Sequence, residues 1–115
     1  MRHLKKKGKF HRERDQRKML IRHLADNLIR HDRIKTTKAK AKAALSFVSK
    51  LITKAKKNNI NSRRIAAKFV SNYSVVKLHN ELALKYKDRN GGYLRIIKLP
   101  LRKSDTSEIV ILEFV

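Results

Sequence analysis

Lys35, Thr37, Lys38 and Lys40 crowd the point where a short β-rich run passes into the clearest amphipathic helix of the chain. Ammonium groups and a hydroxyl beside the free amides of a helix start are phosphate-binding chemistry, and cations there are unfavourable unless an anion sits nearby. The alternative is that Thr37 only caps the helix while solvent screens the lysines. A second cationic group follows, with Arg63 and Arg64 at a helix start, Lys68 one turn later, and Arg89 and Arg95 around Gly91-Gly92. That glycine pair could let backbone amides approach a phosphate, but it lacks the Gly-Lys-Ser or Gly-Lys-Thr ending of a P-loop and reads first as a turn.

The densest cationic run opens the chain. Arg2, His3, Lys5, Lys6, Lys7, Lys9, His11, Arg12 and Arg14 stand there with Glu13 as the only acid, and Arg17, Lys18 and Arg22 extend the candidate phosphate contacts beyond it. Leu4, Gly8 and Phe10 cannot offset the roughly 1 to 2 kcal/mol per residue that ordering a backbone costs, so residues 1–14 are expected to be an extended arm that orders on binding. A merely solubilising tail is the bland alternative. Phe10 could stack on an unpaired base; Tyr93, at a strand start, suits the core at least as well.

Catalytic and metal chemistry find no comparable arrangement. His23 and His31 would lie about 12 Å apart on a helix, too far to share a zinc ion. His3 and His11 fall in the arm, and His79 lacks a Cys, Asp or Glu pattern to complete a site. The carboxylates Glu13, Asp15, Asp26, Asp32, Glu81, Asp88, Asp105, Glu108 and Glu113 form no recognisable acid–base dyad. With no Cys in the chain, thiolate nucleophiles, disulfides and the usual zinc-finger ligands are also excluded. No enzyme, cofactor or small-molecule substrate is expected.

The charge balance names the class of partner. Lys and Arg number 31 against 9 Asp and Glu, the net charge is +22, and no acid occurs between Asp32 and Glu81. Such cations repel one another in a compact state, and bound phosphates relieve that strain. Nucleic acid is the expected polyanion, with nonspecific DNA compaction as the rival to RNA binding. A membrane fits poorly: no apolar run approaches the roughly 20 residues of a spanning helix, and the cations are not confined to one amphipathic helix. The polar start carries no apolar h-region of a secretory signal, so the cytoplasm is the expected location.

The elements that must position these groups follow from periodicity. Leu20, Ile21, Leu24 and Leu28 predict a helix from near Asp15, a plausible N-cap, to Arg30, and Arg33 to Thr36 predicts a short strand. Ala41, Ala44, Leu45, Val48, Leu51, Ile52 and Ala55 form one apolar stripe on a helix from about Lys38 to Lys57, with its lysines largely off the stripe. Ile65, Ala66, Phe69 and Val70 after Ser62, and Val75, Leu78 and Leu82 after Ser74, predict two shorter helices. Tyr93 to Leu99, stopped by Pro100, and Ser107 to Val115 predict strands pairing as an antiparallel hairpin, with Arg33 to Thr36 as a third strand. The expected fold is a two-layer α+β domain over residues 15–115, in the order helix, strand, three helices, two strands, with a small sheet packed against the helices.

Met1-Arg2-His3, His31 with Arg33-Ile34-Lys35-Thr36-Thr37, Lys40-Ala41-Lys42 and Leu51-Ile52-Thr53-Lys54-Ala55-Lys56 resemble the bacterial large-subunit ribosomal protein seventeen family. Arg63-Arg64, Val76-Lys77-Leu78 and Arg89-Asn90-Gly91-Gly92-Tyr93-Leu94-Arg95-Ile96 extend the likeness in order and spacing. Leu94 departs from the usual Thr of the glycine-loop motif, and Ser104 from the usual Gly. The resemblance implies a non-catalytic constituent of the large subunit that binds its ribosomal RNA near the polypeptide exit, with the arm threaded between RNA helices and the globular part touching neighbouring ribosomal proteins. It applies equally to a bacterial ribosome and to an organellar ribosome of bacterial type.

Overall fold

The apolar periodicity of the first segment becomes α1 (Arg14–His31), which turns Ala25, Leu28 and Ile29 fully inward. Its computed structural model describes Lys9, Phe10 and residues 12–115. Glu13, not Asp15, occupies the N-cap position, without a side-chain cap hydrogen bond, and Asp15 falls in the first turn, where a carboxylate still complements the macrodipole. At the other end Asp32 takes a left-handed conformation and its N–H returns to the Leu28 carbonyl at 2.8 Å, a geometry Asp tolerates better than most residues. The chain then reverses into β1 (Arg33–Thr37), one residue longer than its sequence suggests.

The stripe of α2 (Lys38–Ala55) buries Ala41, Ala44, Val48, Leu51, Ile52 and Ala55. The helix stops short of Lys57, and Asn58 adopts positive φ. α3 (Ile60–Ala67) starts before the expected Ser62 because Asn59 and Ser62 form a reciprocal capping box: Asn59 Oδ1 accepts the Ser62 N–H at 2.8 Å, and Ser62 Oγ accepts the Asn59 N–H at 3.2 Å. α4 (Asn72–Lys77) likewise starts before Ser74, with Ser71 as its N-cap. It runs on through one π-helical turn, Leu78–Leu82, into α5 (Ala83–Lys85).

The widened turn sends Leu78, His79 and Leu82 inward together. His79 is a satisfied core histidine. Its Nδ1 lies 3.0 Å from the Val75 carbonyl, to which it donates, and its Nε2 lies 3.2 Å from Ser62 Oγ, linking α3 to the π turn.

β2 (Leu94–Lys98) and β3 (Ile109–Phe114) pair antiparallel, as the sequence predicts, and β3 also pairs antiparallel with β1. The order is β1-β3-β2, so the last strand in sequence is the central one. Val110 and Leu112 face the helices with Ile34, Ile96 and Leu94, joining the core supplied by α1, α2 and the π turn. Lys35, Ile111 and Ile97 align across the opposite face. The result is the expected two-layer α+β arrangement, a three-stranded sheet covered by helices on one side.

Candidate nucleic-acid interface

Strand pairing collects cations that are scattered in sequence. Arg33 of β1 and Arg95 of β2 both stand opposite Glu113 of β3. Glu113 takes one arginine on each oxygen, Arg33 Nη2 at 3.2 Å and Arg95 Nη2 at 2.6 Å, with Arg95 Nε also at 2.7 Å. Both guanidiniums remain largely exposed, and Lys35 lies two residues along β1 on the same face. Arg33 was not anticipated as part of any site. Only the register puts it beside Arg95, so no local spacing in the sequence could have found it.

At the start of α2 the expected cluster divides. The Lys38 amide donates to the Glu108 carbonyl at 3.0 Å, and its ammonium lies 3.5 Å from the Glu108 carboxylate, so β3's approach occupies both. Thr37 sits at the N-cap position without a side-chain cap hydrogen bond. Lys35 and Lys40 meet no carboxylate among the described residues, and both line a groove against the β2–β3 connection.

The second expected cluster also separates. Arg63 reaches Asn80 Oδ1 at 3.2 Å and Asn58 Oδ1 at 3.4 Å, both neutral acceptors that leave its charge unmatched. Arg64 is exposed on α3. Arg89 folds onto the Gly92 carbonyl at 3.2 Å, whereas Arg95 turns to Glu113, so the glycine loop does not gather the two. Gly91 and Gly92 have φ of +92° and +63°, the turn geometry that their lack of a side chain permits.

On α1, Arg14 and Lys18 are exposed, Arg17 is half-buried, and Arg22 lays its guanidinium 5.1 Å from the centre of the Phe69 ring, a packing as well as a charge contribution. Ahead of the helix, Arg12 Nη1 donates to the Phe10 carbonyl at 2.9 Å, and the Arg12 amide to the Lys9 carbonyl at 3.0 Å. Arg2, His3, Lys5, Lys6, Lys7 and His11 lie outside the described residues, as does most of the segment expected to be an arm. Tyr93 is only 2% exposed and packs 5.2 Å from the Tyr86 ring, so it belongs to the core rather than to a stacking surface.

The described carboxylates that form ion pairs are tied to particular cations. Asp26 meets Arg30, Asp32 meets Lys77, and Asp105 meets Arg102, whose guanidinium holds the exposed Asp105 carboxyl well below the usual carboxylate range. Among the described residues no group of His, Cys, Asp and Glu is arranged to hold a metal ion, and no helix is long and apolar enough to cross a membrane. The arrangement can neutralise phosphates on several faces of one folded unit.

Comparison with known families decides the lineage. The family described as ribosomal protein L17 matches residues 20–115, from within α1 through β3. The chain belongs to the ribosomal protein L17 family. A protein of Thermodesulfovibrio yellowstonii named "Large ribosomal subunit protein bL17" is 46% identical over 116 residues, covering 100% of this chain and 87% of the relative. Proteins of the same name from Fusobacterium nucleatum and a Hydrogenobaculum species are 44% and 47% identical, each covering 100% of this chain and 100% and 99% of their own lengths. The ribosomal protein L17 match therefore includes the sheet face with Arg33 and Arg95, the groove with Lys35 and Lys40, and Arg63 and Arg64. The full-length likeness to the relatives extends to the basic N-terminal residues.

Proposed function

We propose that the chain is a structural constituent of the large ribosomal subunit that binds ribosomal RNA through phosphate neutralisation and shape, near the polypeptide exit region, in contact with neighbouring ribosomal proteins. One observation carries this reading: the chain has a net charge of +22, and among the described residues the few paired acids of the α+β scaffold leave Lys35, Lys40, Arg63 and Arg64 without a carboxylate. Family membership and the printed names of the relatives support the large subunit as the partner. Ribosomal proteins of this family are not an enzyme class. In this reading the basic N-terminal segment, expected over residues 1–14, acts as an RNA-binding arm ahead of the globular domain, which takes in Glu13 and Arg14 as the N-cap and first residue of α1.

Co-sedimentation tests it. The protein should fractionate with large subunits through a moderate salt wash, and should prefer folded large-subunit RNA to duplex DNA at fixed salt. Recovery only free or on small subunits would defeat the assignment, and a preference for DNA would favour the nonspecific compaction reading. A chain lacking residues 1–12 should lose assembly more than thermal stability. Crosslinking within assembled subunits tests the location at the exit.

A further inference from the structure

The groove at the end of the sheet has two chemically different sides. Lys35 on β1 and Lys40 on the first turn of α2 lie on one, Leu99, Pro100 and Leu101 on the other, and Ile109 of β3 between them, lining a half-open groove of about 660 Å³. This is within the roughly 300 to 1,000 Å³ range of small-ligand sites. Its apolar wall is held in place before any ligand arrives. The Leu99 amide donates to the Ile109 carbonyl at 3.0 Å, the Arg102 amide to Ser107 at 3.0 Å, and the Thr106 amide back to Arg102 at 2.8 Å.

Charge at the groove is equally selective. Arg102 is matched internally, donating to the two Asp105 oxygens at 2.9 and 2.6 Å, and Glu108 is taken by Lys38. Among the described residues that line the groove, the charges without a carboxylate partner are those of Lys35 and Lys40. Leu101, meanwhile, is 56% exposed, with Pro100 exposed beside it. An occupant that matches both sides therefore brings negative charge and an apolar face together. A nucleotide carries both in one residue. A paired base hides its faces in the stack, so the base must be unpaired.

We propose that this groove takes one unpaired nucleotide of the bound RNA, its base face against Pro100 and Leu101 and its flanking phosphates on Lys35 and Lys40. The inference rests on the RNA-binding reading above and adds to it a defined contact for a splayed-out base.

The test compares the full chain with Leu101→Ser, Lys35→Ala and Lys40→Ala, using Leu84→Ser on α5, outside the groove, as control. Binding to folded large-subunit RNA is measured across a salt series, with chemical probing of the RNA. Wild type should protect at least one unpaired nucleotide. Leu101→Ser should lose that protection and about fivefold in affinity with an unchanged salt slope, as for removal of an apolar contact that carries no charge. Lys35→Ala and Lys40→Ala should each reduce the slope by about 0.7 to 0.9, and Leu84→Ser should match wild type. Wild-type affinity and protection in Leu101→Ser, with unchanged slopes in both lysine variants, would overturn the groove while leaving RNA binding intact, as would an assembled subunit in which a protein segment fills it. No preference of wild type for large-subunit RNA would instead remove the underlying reading before any variant is compared.

Discussion

The Asp26 carboxylate of α1 accepts the backbone N–H of Ser71, the N-cap residue of α4, at 3.0 Å. The same oxygen accepts the Ser71 hydroxyl at 2.8 Å and the Ser74 hydroxyl at 2.5 Å, while the other meets Arg30 Nε at 3.1 Å. A carboxylate from one helix thus completes the cap of another, which fixes how α4 meets α1 more firmly than apolar packing alone.

Asp26→Ala should destabilise the fold by about 2 to 3 kcal/mol, because it takes away the acceptor shared by the Ser71 amide and by the Ser71 and buried Ser74 hydroxyls. Thermal unfolding followed by circular dichroism should show a fall of about 10 °C in Tm. A change within error would mean that Ser71 caps α4 without help.

Acid sensitivity should follow from the same residue. Burial raises the Asp26 pKa, but the hydrogen bonds from Ser74 and from the Ser71 amide and hydroxyl, with the Arg30 charge, outweigh it and lower the value below 3.8. The native state then binds fewer protons than the unfolded one as this group titrates, so its contribution is complete above the unfolded value and is lost as pH falls through the folded one. Denaturant midpoints measured from pH 6 downward should decline less in Asp26→Asn than in wild type.

Tyr93 separates core from surface. Its ring packs against Tyr86, and its hydroxyl lies 3.2 Å from Lys56 Nζ, whose ammonium also donates to the Arg89 carbonyl at 2.6 Å. Tyr93→Phe should cost about 1 kcal/mol and Tyr93→Ala about 3 to 5 kcal/mol in denaturant unfolding. RNA affinity of the folded Tyr93→Phe protein should be unchanged.

At Gly92 a built Cβ would meet nothing within 4 Å, yet φ is +63°. Gly92→Ala should therefore lose about 1 to 2 kcal/mol from backbone strain alone. Gly92→Asn should recover part of that loss, since Asn tolerates the left-handed region. Equal losses in the two variants would point to a contact rather than to φ.

Much of this architecture is legible in the residues, and the gaps have physical causes. The α2 stripe is plain because a single face stays buried from Ala41 to Ala55. Ser62 and Ser74 look like helix starts because Ser favours caps, but each stands three residues inside its helix and answers a cap at Asn59 or Ser71. The cationic side chains are visible as types, and their mates are not. Glu113 joins Arg33 to Arg95 only through pairing across 80 or so residues of chain, and Glu108 reaches Lys38 in the same way.

The central place of β3 carries a consequence for synthesis. Among the described residues each outer strand pairs only with β3, and β1 is made first. Residues 38–108 take about 4 to 14 s to translate, during which β1 has no partner and the inner face of the sheet does not exist. Helices α1 and α2 can meet in that interval, but their sheet-facing apolar side chains stay uncovered. The nascent chain thus passes through a half-built, strongly cationic intermediate, whose closure is timed by the emergence of a single six-residue strand.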